Sequence, residues 1–263
     1  MKIQDIIDYL ESDASWVNWR RTRDHVLFGN SDKPVTGIGV CWVLTHQAID
    51  MAVENNINFM ITHENPFYLS STQLHTNLYN AIKGKEERLK KEHITVYRCH
   101  DLWDCYPDYG IADMWANQIS SIVIKQTRKR FITTALVKET TVRELALLIA
   151  KQMIVDGENG VYVIGDLEKK VSHVALGTGA ATDVFEMDEN SVDVFVVSED
   201  GMNCWSSGQY VVDQNKALII VSHCCCEKSG LKELAKYLKK QFVNIDVEYI
   251  DDGINATFIA LDQ

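Results

Sequence analysis

The sequence has little of what linkers, membrane spans and secretory signals require. Only three of its 263 residues are proline, and no Gly/Ser-rich or single-charge tract interrupts it, so we expect no flexible linker and no disordered tail. No apolar run approaches the roughly 18 residues of a membrane helix. The opening segment MKIQDIIDYLESDAS alternates charged and apolar residues instead of offering a continuous secretory core. These absences predict a cytoplasmic protein.

Basic charge and pairable cysteines are scarce too. With 26 Lys and Arg against 37 Asp and Glu, the formal net charge is -11, which makes nucleic acid and anionic membranes unfavourable partners. The seven cysteines are odd in number and include three in a row, Cys224 to Cys226. That pattern suits free thiols better than a disulfide framework. Nucleic-acid and membrane partners are therefore not expected.

Apolar runs and amphipathic segments alternate in the first half of the chain. Ile3, Ile6, Ile7 and Leu10 have helical spacing and predict an opening helix. Apolar, strand-like runs follow at 36–44, 57–62 and 94–99. A helix capped by Thr45, a longer one over 72–92 and another beginning near Tyr109 are predicted between and after them. This alternation indicates a largely parallel sheet with helices on its faces.

The second half repeats this order less regularly. Strands are predicted at 131–137, 192–198 and 217–222, and Thr141 with Glu144 forms a capping box for a helix. The runs GVYVIG and VSHVALG flank the polar DLEKK and predict a hairpin, and Leu231, Leu234, Ala235 and Leu238 predict a final amphipathic helix. We expect an α/β protein of two α/β lobes with mainly parallel sheets. The predicted domains are residues 1–125 and 126–263, with a boundary that the sequence does not mark sharply.

Histidines and acidic residues stand where the predicted strands end. Carboxyl ends of parallel strands converge on one crevice in α/β sheets, so side chains at these positions are expected to lie together. Three of the eight histidines occupy such a place. The residues are His63 and Glu64, His100 and Asp104, and His223 and Glu227. Glu199 and Asp200 also follow a strand, but an acidic pair there is commonly a solvated helix start, so they are left out of the ligand set.

This combination of side chains is typical of a divalent metal site. Imidazole and carboxylate together suit zinc, manganese, iron or cobalt. Six donors exceed what one tetrahedral ion requires, and they fit two ions that share a bridging carboxylate. A single histidine after a strand is more often a hydrogen-bonded structural residue than a ligand. The joint placement of all six favours the metal site.

Two weaker signals lie in the second half. Gly177, Thr178 and Gly179 follow a strand, and their backbone amides would suit a phosphate group, although a tight turn alone explains the glycines. Cys224, Cys225 and Cys226 directly follow His223 and either contribute a thiol to the metals or are small buried residues.

Four blocks of the sequence resemble a known family in their order along the chain. They are INFMITHENPFY, VYRCHDLWDCYPDYGIADMWA, VSHVALGTGAATD and SHCCCEKSGLKELAKYL. Together they resemble the Nif-three-like dinuclear metal-centre proteins, some of which are described as type 2 GTP cyclohydrolase I. The resemblance implies two α/β lobes, a toroidal homohexamer and a two-metal site in each subunit. The family's ligand-type positions fall on His63, Glu64, His100, Asp104, His223 and Glu227, with Glu64 in place of a second histidine.

The resemblance and the residues together support one leading function and one alternative. The leading hypothesis is a dinuclear metal-dependent hydrolase-like enzyme acting on a nucleotide-like or phosphate-bearing small molecule, with Zn, Fe, Mn or Mg as the two ions. Glu64 or Glu227 is the candidate general base. The alternative is a non-catalytic metal-binding hexamer that stores, delivers or senses metal or serves as a scaffold. A carboxylate at position 64 is expected to favour manganese, iron or magnesium over zinc.

Overall fold

The computed structural model describes residues 1–68, 76–180 and 182–256. The described chain divides into two compact units. Unit 1 comprises residues 1–109 and 231–254, and unit 2 comprises residues 110–230 and 255–256. The chain thus returns to unit 1 through its last helix. The units divide after residues 109, 230 and 254. The domain boundary near residue 125 stays a prediction.

The described residues among the first 109 form four helices and four strands. In chain order these are α1 (Ile3–Glu11), β1 (His25–Phe28), β2 (Gly37–Cys41), α2 (His46–Glu54), β3 (Phe59–Thr62), α3 (Thr76–Lys91), β4 (Thr95–Arg98) and α4 (Asp101–Asp104). The start predicted for the third helix, near residue 72, lies outside the described residues.

The rest of the described chain forms five helices and seven strands. They are α5 (Ile111–Ala116), β5 (Val123–Lys129), β6 (Ile132–Thr141), α6 (Val142–Met153), β7 (Tyr162–Ile164), β8 (Lys170–Leu176), α7 (Val184–Met187), β9 (Val194–Ser198), α8 (Cys204–Asp213), β10 (Ala217–Val221), α9 (His223–Gln241) and β11 (Asp246–Tyr249). Short 3-10 helices occupy Asn117–Ile122, Ile154–Asp156, Asp188–Asn190 and Glu199–Gly201.

Unit 1 is built on a five-stranded sheet in the order β1-β4-β3-β2-β11. The three pairs among β4, β3, β2 and β11 are parallel, and β1 pairs antiparallel with β4. Cys41 lies opposite Thr62, and Thr62 lies opposite Arg98. The strands therefore end at one level, and the residues that follow them share one edge of the sheet. Strands β1 and β11 were not predicted from the sequence.

The predicted helices of unit 1 form for the predicted reasons. In α1, Ile3, Ile6, Ile7 and Leu10 are the buried face. The Thr45 side chain caps α2 by accepting a hydrogen bond from the backbone N–H of Ala48 at 3.1 Å. Strands β2 and β3 are buried along their whole length, as parallel strands covered on both faces are.

Unit 2 is built on a mixed six-stranded sheet in the order β5-β6-β8-β9-β10-β7. Strands β8, β9 and β10 are parallel to one another, and the other pairs are antiparallel. In β9, Val194 and Val196 face one apolar cluster while Phe195 and Val197 face another. The sheet is therefore packed on both faces. The capping box of α6 is confirmed, since Thr141 and Glu144 each accept from the other's backbone N–H.

The hairpin predicted between GVYVIG and VSHVALG is wrong. Strand β7 pairs with β10, with Ile164 opposite Leu218, and β8 lies between β6 and β9. Strand β8 buries most of its residues and suits the interior of the sheet, whereas the short β7 is half exposed and suits its edge. The five-residue polar segment between β7 and β8 is compatible with a hairpin. The strand with which each of them pairs depends instead on how much of it is buried.

All seven cysteines are free thiols, as expected. Among the described residues, no helix is long and apolar enough to cross a membrane.

Candidate metal centre

His63 is buried directly after β3 and has a fixed ring orientation. Its Nδ1 lies 3.1 Å from the backbone oxygen of Cys99. A carbonyl oxygen only accepts hydrogen bonds, so Nδ1 carries the proton and the other ring nitrogen is left as the potential metal ligand. That nitrogen, Nε2, lies 3.5 Å from Oδ1 of Asp104.

His100 and Asp104 belong to one helical turn and face His63. His100 is the N-terminal cap of α4, and its Nδ1 lies 3.0 Å from Oδ2 of Asp104 and 2.9 Å from Oδ1 of Asp101. The imidazole rings of His63 and His100 stack at 4.3 Å between centroids. One ligand atom from each of His63, His100 and Asp104 lies within 4.8 Å of the others. These three predicted residues thus form a group that could hold a metal ion.

Glu64 faces this group with one carboxylate oxygen and contacts an arginine with the other. Its Oε1 lies 3.6 Å from Nε2 of His100, while its Oε2 accepts a hydrogen bond of 2.7 Å from Arg98. Arg98 also donates from Nε to the backbone oxygen of His63 at 3.0 Å. Burial raises the pKa of Glu64, but the hydrogen bond from His100 and the charges of His63, His100 and Arg98 outweigh it and lower that pKa to about 2.

The unit 1 group carries an excess of carboxylate around its imidazoles. Burial alone would lower the pKa of His100, yet the carboxylates of Asp104, Asp101 and Glu64 raise it well above its usual value. The carboxylates around His100 thus stabilise a positive charge on its ring. A divalent cation at the same place would be stabilised by the same carboxylates.

Asp24 supports the His100 turn from a distant part of the chain. Its side chain is buried, and its two oxygens accept hydrogen bonds from the backbone N–H groups of His100 at 2.5 Å and Leu102 at 3.1 Å. The Thr22 hydroxyl also donates to it. Burial raises the pKa of Asp24 despite these bonds. The carboxylate fixes the start of α4 and hence the position of the His100 side chain.

Unit 2 holds the third predicted pair at the start of α9. Nε2 of His223 lies 2.9 Å from Oε1 of Glu227, one turn later, and Nδ1 lies 2.9 Å from Oδ2 of Asp200. Oε2 of Glu199 accepts from the backbone N–H of His223 at 2.6 Å. Burial lowers the pKa of His223, but Glu227 and Asp200 raise it to about 11. Glu199 and Asp200, left out of the ligand set, orient His223 in the structure.

The predicted phosphate loop packs against this pair. Gly179 has a positive φ of 64°, and a Cβ added there would lie 3.2 Å from Nε2 of His223 and 3.4 Å from Oε1 of Glu227. A Cβ on Gly201 would lie 2.4 Å from the Gly179 oxygen. Thr178 is buried, and its backbone oxygen accepts a hydrogen bond from the Thr182 hydroxyl at 2.8 Å. The glycines therefore meet a steric demand beside His223, and phosphate binding by Gly177, Thr178 and Gly179 stays a prediction.

The three consecutive cysteines are buried at the beginning of α9. Cys225 and Cys226 belong to the apolar core of unit 2. The Sγ of Cys225 lies 3.2 Å from the backbone oxygen of Asp156, and the Sγ of Cys226 lies 3.1 Å from the backbone oxygen of His223. Burial raises the pKa of Cys225 to about 11 and holds the pKa of Cys226 well above its usual value. Their place in the apolar core is that of small buried residues.

The donor sets fit borderline divalent ions. Two imidazoles, a nearby carboxylate and a ring nitrogen fixed by a backbone carbonyl are the ligands and the supporting bond that zinc, iron and manganese sites use in proteins. Arg98, Asp24 and Asp101 were not predicted from the sequence. Arg98 had a weak signal, since it ends the strand that delivers His100, whereas Asp24 lies far away in the sequence and had none.

The fold and these donor sets define an α/β protein with candidate metal-binding residues. Over residues 1–253 the chain matches the family described as Duf34/NIF3 (NGG1p interacting factor 3), and it belongs to that family. A curated relative, the GTP cyclohydrolase 1 type 2 homolog of Clostridium acetobutylicum, is 25% identical over 91% of this chain and 90% of the relative.

Solved structures share the fold. A Bacillus cereus protein related to NIF3 superposes with a TM-score of 0.78 at 14% identity, covering 99% of both chains. A hypothetical protein of Staphylococcus aureus superposes with a TM-score of 0.74 at 21% identity, covering 97% of both chains. The resemblance inferred from the sequence is thereby confirmed at the level of family and fold.

Proposed function

We propose that this protein is a dinuclear metal-dependent hydrolase-like enzyme that acts on a nucleotide-like or phosphate-bearing small molecule. The proposed ligands of its two divalent ions are His63, Glu64, His100, Asp104, His223 and Glu227. The observation that supports this most is the pairing of imidazole with carboxylate in both units. His63, His100 and Asp104 share one small volume, and His223 meets Glu227 at 2.9 Å. The name of the C. acetobutylicum relative makes GTP the first substrate to test.

The chain's own residues have distinct parts in this proposal. Bound divalent ions would supply an activated water and a positive anchor for substrate oxygens. The Cys99 carbonyl orients His63, and Asp24 orients His100. Backbone amides of Gly177, Thr178 and Gly179 are the proposed holders of a substrate phosphate.

Glu64 and Glu227 are the proposed general bases, and their surroundings differ. A carboxylate with a pKa of about 2 is a poor proton acceptor at neutral pH, and Glu64 is also held by Arg98. Glu227 is almost fully buried, and its Oε1 lies 2.9 Å from Nε2 of His223. We therefore favour Glu227 over Glu64 as the base.

Metal content tests the ligand assignment. Wild-type protein should retain about two divalent ions per chain after dialysis, while His63→Ala and His223→Ala should each lose much of that content. His173→Ala is the matched control, because His173 is exposed on β8 and outside both donor sets. Plasma mass spectrometry measures the content, and equal metal in all four proteins would overturn the assignment.

Turnover separates the enzyme from the non-catalytic alternative. Metal-replete protein is assayed with GTP, phosphomonoesters and phosphodiesters in the presence of zinc, manganese or iron. Glu227→Gln should remove the turnover. Background rates with every ion would favour a metal-binding scaffold that stores, delivers or senses metal.

Assembly and location complete the proposal. We propose a cytoplasmic homo-oligomer, specifically a hexamer, on the basis of family membership. Light scattering during gel filtration should give a mass six times that of the single chain. A monomeric mass at micromolar concentration would contradict it.

A further inference from the structure

Arg98 forms hydrogen bonds with both His63 and Glu64, two adjacent residues among the proposed metal ligands of unit 1. It ends β4, opposite Thr62 of β3, and its side chain is only 12% exposed. Its Nε donates to the backbone oxygen of His63 at 3.0 Å, and a terminal nitrogen donates to Oε2 of Glu64 at 2.7 Å. The guanidinium is planar, so these two bonds together fix its orientation.

We propose that Arg98 is a positioning residue that sets the metal preference of this site. By holding Oε2 of Glu64, it leaves Oε1 as the one oxygen of that carboxylate offered to an ion, and its charge offsets that of Glu64. This inference rests on the proposed function, because it assumes that the site binds divalent metal.

The geometry gives the two Glu64 oxygens different surroundings. Oε2 points to Arg98, whereas Oε1 lies 3.6 Å from Nε2 of His100, on the side of the other donors. Rotation of the carboxylate to present both oxygens to the donors would break the bond to Arg98. Because Arg98 is anchored separately on His63, it cannot follow that rotation without losing a second bond.

The number of oxygens available affects which ion binds. Zinc is satisfied by four ligands, whereas manganese takes up more oxygen donors. A carboxylate restricted to one oxygen supplies a single donor atom, as an imidazole does. Arg98 therefore works against the preference for manganese that Glu64 alone predicts.

The test compares relative affinity for zinc and manganese in wild type, Arg98→Met and Arg98→Lys. Both ions are divalent, so a change in local charge largely cancels in the ratio. Arg98→Met should shift the ratio about tenfold toward manganese, which is the lower end of the effect that residues supporting metal ligands have on metal affinity. Arg98→Lys should produce a smaller shift in the same direction, because one ammonium cannot make both bonds. This variant also carries the test if Arg98→Met does not fold.

Two controls identify the cause of the shift. Arg128→Met removes another partly buried arginine, 24% exposed, from its 3.0 Å pair with Asp113, and it should leave the ratio unchanged. In the Glu64→Ala background, Arg98→Met should also leave the ratio unchanged, since the proposed effect passes through Glu64.

The outcomes of the competitive titration are distinct. A wild-type ratio in both Arg98 variants, or an equal shift with and without Glu64, would overturn the role of Arg98 and leave the proposed function standing. A wild-type protein that binds neither ion would overturn the proposed function and the role of Arg98 with it.

Discussion

Removal of the Asp24 carboxylate should destabilise the protein and loosen the His100 turn. Asp24 is 5% exposed and accepts from the backbone N–H groups of His100 and Leu102. Asp24→Ala leaves both N–H groups without their acceptor in a buried setting. Asp24→Asn keeps one accepting oxygen and turns an amide nitrogen toward the other N–H.

The expected loss follows from the two bonds. A buried donor without a partner costs about 1–3 kcal/mol, so two cost about 2–6 kcal/mol. Part of this loss is offset, because burial raises the pKa of Asp24 and the buried carboxylate is therefore itself destabilising. We expect about 3 kcal/mol for Asp24→Ala and roughly half of that for Asp24→Asn. In a chain of this size, 3 kcal/mol lowers the Tm by roughly 6–12 °C.

Thermal unfolding of metal-free protein followed by circular dichroism measures this effect, and a chelator competition measures metal affinity. Asp193 is a matched control, because its Oδ2 accepts from the backbone N–H groups of Ser172 and His173 at 2.8 and 2.9 Å. Asp193→Ala should lower the Tm and leave metal affinity unchanged, whereas Asp24→Ala should lower affinity about tenfold as well. A Tm within about 2 °C of wild type for Asp24→Ala would refute the reasoning.

Two further predictions concern buried charges. Lys85 is 2% exposed, donates to the Leu44 and Pro66 oxygens, and burial lowers its pKa to about 8 from 10.5. The unfolded chain therefore binds more protons between these pH values, and the unfolding free energy of wild type relative to Lys85→Met should rise by about 3 kcal/mol from pH 8 to 10.5. Glu64→His should move relative affinity toward zinc and cost about 2 kcal/mol, because Arg98 loses its carboxylate partner.

Each of these has a direct check. Urea unfolding of wild type and Lys85→Met across the pH range gives the first difference, and parallel curves would contradict the depressed pKa of Lys85. Competitive titration of zinc against manganese gives the second. An unaltered ratio in Glu64→His would mean that Glu64 is not a ligand. Adding Arg98→Met to Glu64→His should restore part of the lost stability, since it removes the unpaired guanidinium.

The alternation of elements and their termini could be predicted because they depend on local contacts. Helix α1 follows from the spacing of Ile3, Ile6, Ile7 and Leu10, and the starts of α2 and α6 follow from the caps at Thr45 and Thr141. The buried strands β2, β3 and β9 follow from continuous apolar runs. Strands β1, β5 and β11 lack such runs, and their strand conformation depends on pairing with β4, β6 and β2.

The sequence by itself determined that His63, His100 and His223 follow strands, because a strand's end is a local property and parallel strands end at a common edge. Only the tertiary structure decided that Arg98 holds Glu64, that Asp24 holds His100, and that β7 pairs with β10 rather than β8. These contacts join residues whose separation is set by the order of strands in the sheet. Local periodicity carries no information about that order, since an alternating or apolar strand pairs equally well with several neighbours.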